Sequence, residues 1–290
     1  MNATQLKFNN EVVVKYGNTV VPATGKDEHV NYTVTQNVKH GEETDTFDVS
    51  FTNVKDLKDT DGNAIKVAAG GTFTVDFTAE LLSGAVIGEP GNPNESRLEY
   101  SNNPNGEGTG HTPWDKVVVF TFKVVANKKD DKQQDLDGAH FKLEKWDASL
   151  KNGKGDWKPV GQEITTGHKF EFSHVDSGHY RLTETKAPDG YNKVAPLEFF
   201  IKATYDTDSI NPQLTGLKVV DKNGTELTDW TAATVGGTVS TDVVNKQGST
   251  LPETGGMGTT ILYVAGAVLV IAAGVWFGLR RKAFAAARRH

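Results

Sequence analysis

The sequence predicts an all-β fold: two tandem β-sandwich domains followed by a single C-terminal transmembrane helix. Most of the 290 residues alternate polar with β-branched or aromatic side chains, and Gly, Asn and Asp-Gly turns separate these runs. The exception is Ile261–Leu279, an uncharged apolar stretch of 19 residues. At about 1.5 Å per residue a helix of this length spans roughly 28 Å, which matches the hydrocarbon core of a bilayer.

The composition limits the classes of function. The net charge is −6 although five basic residues lie in the last eleven positions, so the rest of the chain is acidic and unsuited to nucleic acid. The chain has no cysteine, so an extracellular form would need a stabilising cross-link other than a disulfide.

The first predicted domain covers residues 1–114. Its strand-like runs are NEVVVKYG, VNYTVTQNV, TFDVSFTNV and GGTFTVDFTAEL, followed by a turn-rich section that holds one further strand, SRLEYS. The DTDGN run at residues 59–63 is acidic, but its glycine is misplaced for an EF-hand loop, so we expect a hairpin turn.

The second predicted domain covers residues 115–247. It opens with DKVVVFTFKVVANKKD, which we expect to be one long strand, and continues with GAHFKLEKWD, KFEFSHV, HYRLTETKAPDGY, PLEFFIKATYD, TGLKVVDKNG and STDVVNK. About seven short strands in this length predict a β-sandwich.

The C-terminal segments follow the second domain in a fixed order. Residues 248–256 form a linker with the motif LPETG, residues 258–280 the transmembrane helix, and residues 281–290 a basic tail that the positive-inside rule places in the cytoplasm. The chain start, MNATQLKFNN, has no secretory signal, and an exported protein needs one. We therefore expect the chain to be a fragment that lacks its N-terminus.

This order of LPxTG, apolar span and basic tail resembles the cell-wall sorting signal of Gram-positive surface proteins. The resemblance implies that a sortase recognises Leu251, Pro252, Glu253, Thr254 and Gly255. The enzyme would cleave between Thr254 and Gly255 and pass the Thr254 carbonyl to an amine. The mature chain would then be anchored to the cell wall, outside the cell.

A buried glutamate is expected in the run YRLTETKAPDGYN. In a strand, Tyr180, Leu182 and Glu184 share one face, and Ala187–Gly190 is a turn that ends the strand. A carboxylate among apolar side chains needs a partner, because its burial alone is costly. No HxH or HExxH spacing suggests a metal, and we expect no metal and no cofactor.

Strand alternation places two further polar residues among apolar neighbours. Lys123 lies on a face with Thr121 and Val125, and Asn245 shares a face with Val243. Lys116 and Lys128 are also near, but Lys116 precedes the apolar run and Lys128 has the opposite parity. Three unrelated features, with Lys123 extending to solvent and Asn245 closing a turn, would account for the pattern equally well.

Residues 180–191 resemble the E-box, YxLxETxAPxGY, of Gram-positive pilins, and the first domain resembles the immunoglobulin-like middle domain of sortase-assembled backbone pilins. The resemblance implies two immunoglobulin-like domains, the second of the Cna B type. It also implies that Glu184 promotes one intramolecular isopeptide bond between Lys123 and Asn245. A cross-link in the first domain, at Asn102, is left open.

The resemblance implies a structural pilus subunit rather than an enzyme. Its partners would be sortase, other pilin subunits, a peptidoglycan precursor, the membrane before sorting, and a host receptor. The polymerising lysine of a VYPKN-like motif is not found in these residues. A non-polymerised wall-anchored adhesin that binds a host protein or glycan is the alternative. A wall-anchored enzyme would need an active site upstream, since no GxSxG, zinc or P-loop motif is present.

Overall fold

The computed structural model describes residues 1–40, 42–103, 106 and 108–248, and these residues are almost entirely β-strands and turns. None of the helices in these ranges is long and apolar enough to cross a membrane. The predicted transmembrane helix, the LPETG motif and the basic tail all lie outside the described residues.

The first part of the chain consists of small sheets. Its strands are β1 (Leu6–Tyr16), β2 (Thr19–Val21), β3 (Tyr32–His40), β4 (Glu43–Phe51), β5 (Leu57–Lys58), β6 (Ala64–Ile65), β7 (Phe73–Leu81), β8 (Asn92–Ser96), β9 (Glu99–Ser101), β10 (Thr109–His111) and β11 (Asp115–Val119). The order β2-β1-β7 forms one sheet, and β3-β4, β5-β6, β8-β11 and β9-β10 form two-stranded pairs. A one-turn 3-10 helix occupies Lys26–Glu28.

A small apolar cluster holds this part together. Its buried members come from β1, β2, β3, β5 and β6, and they are Val14, Val21, Tyr32, Leu57 and Ile65. The expected hairpin turn at DTDGN is confirmed: Leu57 pairs with Ile65, and Asp59 accepts hydrogen bonds from the backbone of Asp61 and Asn63.

The second part of the chain is a two-sheet sandwich. Its strands are β12 (Phe122–Asp130), β13 (His140–Asp147), β14 (Asp156–Ile164), β15 (Lys169–Val175), β16 (Gly178–Lys186), β17 (Leu197–Asp206), β18 (Gln213–Val220), β19 (Trp230–Ala233) and β20 (Thr238–Asn245), with a short helical turn α1 (Leu150–Gly153). One sheet has the order β15-β12-β20-β19 and the other the order β14-β13-β16-β17-β18. Their inner faces form the main core of the protein.

The first and last strands of the sandwich are neighbours. β12 and β20 run parallel in the centre of the four-stranded sheet, with Lys123 opposite Thr238, Lys128 opposite Val243 and Asp130 opposite Asn245. The beginning and end of the domain therefore lie side by side, although more than a hundred residues separate them in sequence.

The run at residues 115–130, expected to be one strand, is two strands. β11 pairs with β8 of the first part, whereas β12 pairs with β15 and β20 of the sandwich. The break falls at Phe120 and Thr121, where the Thr121 carbonyl accepts a hydrogen bond from Gly88 N–H at 2.8 Å. A run that is apolar on both faces fits two successive sheets as well as one strand, so its pattern alone does not reveal the break.

Other strands also differ from expectation. The SRLEYS run is interrupted, because β8 ends at Ser96 and β9 begins at Glu99. β14 and β19 were not expected, since neither DWKPVGQEI nor WTAA shows a clear alternation of apolar and polar residues.

Candidate functional site

A fully buried lysine lies on the core face of β12. Lys128 follows Phe122, Val124 and Ala126 on the same side of the strand, and it is 0% exposed. Its Nζ donates hydrogen bonds to the carbonyl oxygens of Val243, at 2.9 Å, and Lys129, at 3.0 Å. Lysine is rarely buried without a partner, and Lys128 is the one fully buried lysine among the described residues.

Burial changes the acidity of this amine. Removal from water lowers the pKa of Lys128, and the charges of Glu184 and Asp130 partly oppose that decrease. The neutral form of the side chain, which is the nucleophilic form, is therefore more accessible here than at the surface.

Glu184 lies on the core face of β16, as the sequence predicts. Tyr180, Leu182 and Glu184 are each 1% exposed, which confirms the shared buried face. One carboxylate oxygen, Oε1, accepts a hydrogen bond from Asn245 Nδ2 at 2.8 Å, and the other, Oε2, accepts one from Val194 N–H at 2.8 Å. Both oxygens of the buried carboxylate are thus fixed in position.

Asn245, the last residue of β20, is completely buried, and its Oδ1 has no hydrogen-bond partner. The other two fully buried asparagines of the described chain differ in this respect. Asn31 and Asn92 each use Oδ1 as an acceptor and Nδ2 as a donor to two carbonyl groups. A buried amide oxygen without a partner is costly in a purely structural role, and it sets Asn245 apart from the other fully buried asparagines of the described residues.

Lys128 and Asn245 lie diagonally across two paired strands. Because Lys128 is opposite Val243 in the parallel register, Asn245 is two residues farther along β20 on the same core face. Diagonal neighbours of this kind are separated by roughly 7–8 Å at the backbone, which a lysine side chain can span. Glu184 meets this pair from the facing sheet.

The structure corrects the choice of lysine, because it does not bring Lys123 to Glu184 and Asn245. Lys123 lies on the opposite face of β12, and its Nζ is 3.6 Å from Glu171 Oε2 in a partly exposed ion pair. Its strand partner, Thr238, precedes Asn245 by seven residues, or about 23 Å along β20.

The correction has a physical reason in the packing of β12. Val124 and Val125 lie on opposite faces and are both buried, so the apolar residues next to Lys123 do not identify the core face. The useful signal is the position along the strand: only a lysine near the C-terminal end of β12 can meet the C-terminal end of a parallel β20.

The expected turn after the E-box is confirmed. β16 ends at Lys186, and Tyr191 N–H donates to the Pro188 carbonyl oxygen at 3.1 Å. Gly190 has φ = +82°, the conformation that the third position of a type II turn requires.

A second polar cluster lies in the first part of the chain. His40, Asp45 and Asp48 present ligand-type atoms within 4.8 Å of one another on the β3-β4 hairpin. His40 Nε2 is 3.0 Å from Asp48 Oδ2 and 3.5 Å from Asp45 Oδ2. These contacts form a partly exposed polar cluster, which no sequence motif indicates.

Comparison with known families assigns two segments of the chain. The SpaA family, described as a prealbumin-like fold domain, matches residues 122–214, which lie within the sandwich. The LPXTG cell wall anchor motif matches residues 243–283, and it places the chain at the cell surface, attached to the cell wall.

A curated relative of the chain is a streptococcal surface protein. The trypsin-resistant surface T6 protein of Streptococcus pyogenes serotype M6 is 27% identical over 271 residues, covering 72% of this chain and 48% of the relative. The chain thus spans about half the length of this curated relative.

Solved structures with similarity to the chain include two streptococcal backbone pilins. The group B streptococcus pilus 2b backbone protein is 22% identical, with a TM-score of 0.49 and coverage of 87% of this chain and 84% of that one. The T6 backbone pilin of S. pyogenes is 18% identical, with a TM-score of 0.47 and coverage of 84% of this chain and 59% of that one.

Proposed function

We propose that this chain, which carries the SpaA-type domain and cell wall anchor of sortase-assembled backbone pilins, is a structural subunit of a cell-surface pilus. Sortase joins it through LPETG to the next subunit or to a peptidoglycan precursor, and the assembled fibre supports adhesion. The match to the anchor motif and the similarity to the T6 protein support this role.

Within the subunit, Lys128 and Asn245 form an isopeptide bond, and Glu184 promotes the reaction. The observation that carries this proposal is the meeting of the three buried polar residues in one apolar core. Separately each would destabilise the fold, since an unpaired charge or an orphaned amide oxygen costs free energy in a core. The reaction removes the charge on the lysine and converts the asparagine amide into a new one.

The bond forms by condensation with loss of ammonia. Glu184 first accepts a proton from the Lys128 ammonium, and the neutral Nζ attacks Cγ of Asn245. Glu184 then delivers a proton to Nδ2, which is 2.8 Å from Oε1, so the C–Nδ2 bond breaks and ammonia leaves. The new amide nitrogen loses its extra proton to Glu184, and the departing ammonia carries that proton away as ammonium. Glu184 is thereby regenerated, and no oxidant is needed.

The position of the bond determines its effect on the fold. It joins the two central strands of the four-stranded sheet, which are also the first and last strands of the sandwich. By analogy with a disulfide, closing a loop of roughly 120 residues would stabilise the fold by about 4–5 kcal/mol. A pulling force between the ends of the domain would pass through this bond, which leaves the strands β13–β19 largely unloaded.

Intact-mass measurement of the full chain tests the cross-link. The protein without substitutions should be lighter than its sequence mass by one ammonia, about 17 Da. Lys128→Ala, Glu184→Ala and Asn245→Ala should each have the full sequence mass and a lower thermal midpoint. Lys123→Ala is the matched control and should retain the loss of ammonia. The full sequence mass in the protein without substitutions would refute the proposed cross-link.

Co-expression with a pilus sortase in a Gram-positive host tests the subunit role. With a secretory signal peptide fused to it and a co-expressed backbone pilin that supplies the acceptor lysine, the chain should appear in covalent high-mass polymers in cell-wall extracts. Thr254→Ala should abolish its incorporation, because the acyl group to be transferred belongs to Thr254. A single wall-attached species without polymers would instead favour the non-polymerised adhesin.

A further inference from the structure

One short segment contacts both Glu184 and the chain that directly follows Asn245. We call residues 188–194 the capping segment; it follows β16 and begins with the turn closed by Pro188 and Tyr191. The E-box pattern assigns it no task beyond ending a strand. Its backbone contacts, however, converge on Glu184 and on the chain that follows Asn245.

The capping segment fixes the orientation of the carboxylate. Val194 N–H donates to Glu184 Oε2 at 2.8 Å, which leaves Oε1 directed at Asn245 Nδ2. The side chain of Val194 packs against the main core, so this amide group is itself held in place. A freely rotating carboxylate would lose part of this alignment, and alignment of reacting groups is a large component of rate.

The same segment fixes the chain after Asn245. Asn192 N–H donates to the Lys246 carbonyl oxygen at 3.0 Å, and Gly248 N–H donates to the Gly190 carbonyl oxygen at 2.8 Å. Tyr191 and Gln247 form an antiparallel bridge between these two bonds. Asn245 is therefore paired with Asp130 of β12, and the backbone directly after it is held by the capping segment.

We propose that the capping segment is the positioning element of the isopeptide reaction, with Gly190 and Val194 as its positioning residues. This inference rests on the proposed cross-link. It assigns the geometry of the turn a kinetic role: the capping segment brings the carboxylate and the asparagine amide into register before Lys128 attacks.

The turn offers a substitution that strains the capping segment without a clash. Gly190 has φ = +82°, and a Cβ added there meets no atom within 4 Å. Gly190→Ala therefore adds only the cost of a left-handed alanine, which a partly opened turn would relieve. The half-time of ammonia loss should lengthen about three- to tenfold, in keeping with that strain.

Gly161→Ala is the matched control, because Gly161 has φ = +67°, also has no atom within 4 Å of an added Cβ, and lies on β14 away from the site. Gly190→Asn is the rescue variant, since asparagine adopts positive φ more readily than alanine. Rescue by Gly190→Asn would show that slow reaction of Gly190→Ala comes from strain at positive φ and not from the added side chain.

The experiment follows the mass of the full 290-residue chain during cell-free synthesis in detergent, with timed samples quenched in acid denaturant. Thermal midpoints of the reacted variants check that Gly190→Ala and Gly161→Ala are equally stable. The inference predicts slow ammonia loss for Gly190→Ala alone and restoration by Gly190→Asn.

Two other outcomes separate the inference from the cross-link on which it rests. If the chain without substitutions never loses ammonia, the cross-link itself is refuted. If the chain without substitutions reacts, but Gly190→Ala and Gly161→Ala lose ammonia with equal half-times, the cross-link stands and the positioning role of the capping segment is overturned.

Discussion

Lys128 brings an amine into a core that it shares with Phe122 and Val124. Two backbone carbonyl groups accept hydrogen bonds from its Nζ, but they do not neutralise its charge. A methionine would fill the same space without a desolvation cost. The proposed reaction supplies the reason for a lysine, because condensation leaves a neutral amide in the core.

The uncondensed lysine should make stability depend on pH. In Asn245→Ala, which has no acyl partner, Lys128 keeps a lowered pKa in the folded state because of burial. Between that pKa and the ordinary value of about 10.4, the unfolded state binds more protons, so the free energy of unfolding should rise with pH. Below the lowered pKa the slope should vanish.

Urea denaturation of Asn245→Ala at a series of pH values between 7 and 10.5 would measure this slope. The double variant Asn245→Ala/Lys128→Met is the control, and the difference between the two curves isolates Lys128. Parallel curves would show that the buried amine does not titrate differently on unfolding.

Strands β12 and β16 illustrate how differently two elements encode their faces. β16 alternates cleanly, with Tyr180 and Leu182 inside and His179 and Arg181 outside. Outside, rings of Trp157, Trp146, His179 and Phe200 contact one another in a row across four strands. β12 is less regular: Phe122, Val124 and Ala126 are buried on its inner face, but Val125 on the outer face, between Lys123 and Asn127, is buried as well.

The junction between the two parts of the chain is built by a close contact of two turns. Gly88 and Gly237 approach so closely that a Cβ on Gly88 would lie 2.1 Å from Gly237 N, and a Cβ on Gly237 would lie 2.5 Å from Gly88 N. Glu89 N–H donates to the Thr234 carbonyl oxygen at 3.1 Å beside this contact. The turn that precedes β20 is thus joined to the first part of the chain.

Gly237→Ala should loosen this junction, because the added methyl group collides with the Gly88 backbone. Gly236→Ala is the control on the same turn: Gly236 also has a positive φ, of +75°, but an added Cβ there meets no atom within 4 Å. Residual dipolar couplings or small-angle scattering should show greater motion between the two parts only in Gly237→Ala. Equal behaviour of the two variants would contradict a role for the contact.

Much of the site follows from local patterns in the sequence. Alternation predicts that Glu184 is buried with Tyr180 and Leu182, and the Ala-Pro-Asp-Gly run predicts the turn after it; the structure confirms both. Asn245 is correctly predicted on the core face of the last strand. The prediction of Lys123 is wrong in its face and in its position along β12. Val125, on the same face as Lys123, is buried too, and the sequence does not show which lysine lies near the end of β20.

By itself the sequence determined the β class, the buried face of β16, the turn chemistry and the sorting signal, because each of these depends on residues close together in the chain. Only the tertiary structure decided which lysine meets Asn245, where β11 ends and β12 begins, and what the capping segment contacts. These depend on the parallel register of β12 and β20 and on the packing of two sheets, which residues more than a hundred positions apart establish together.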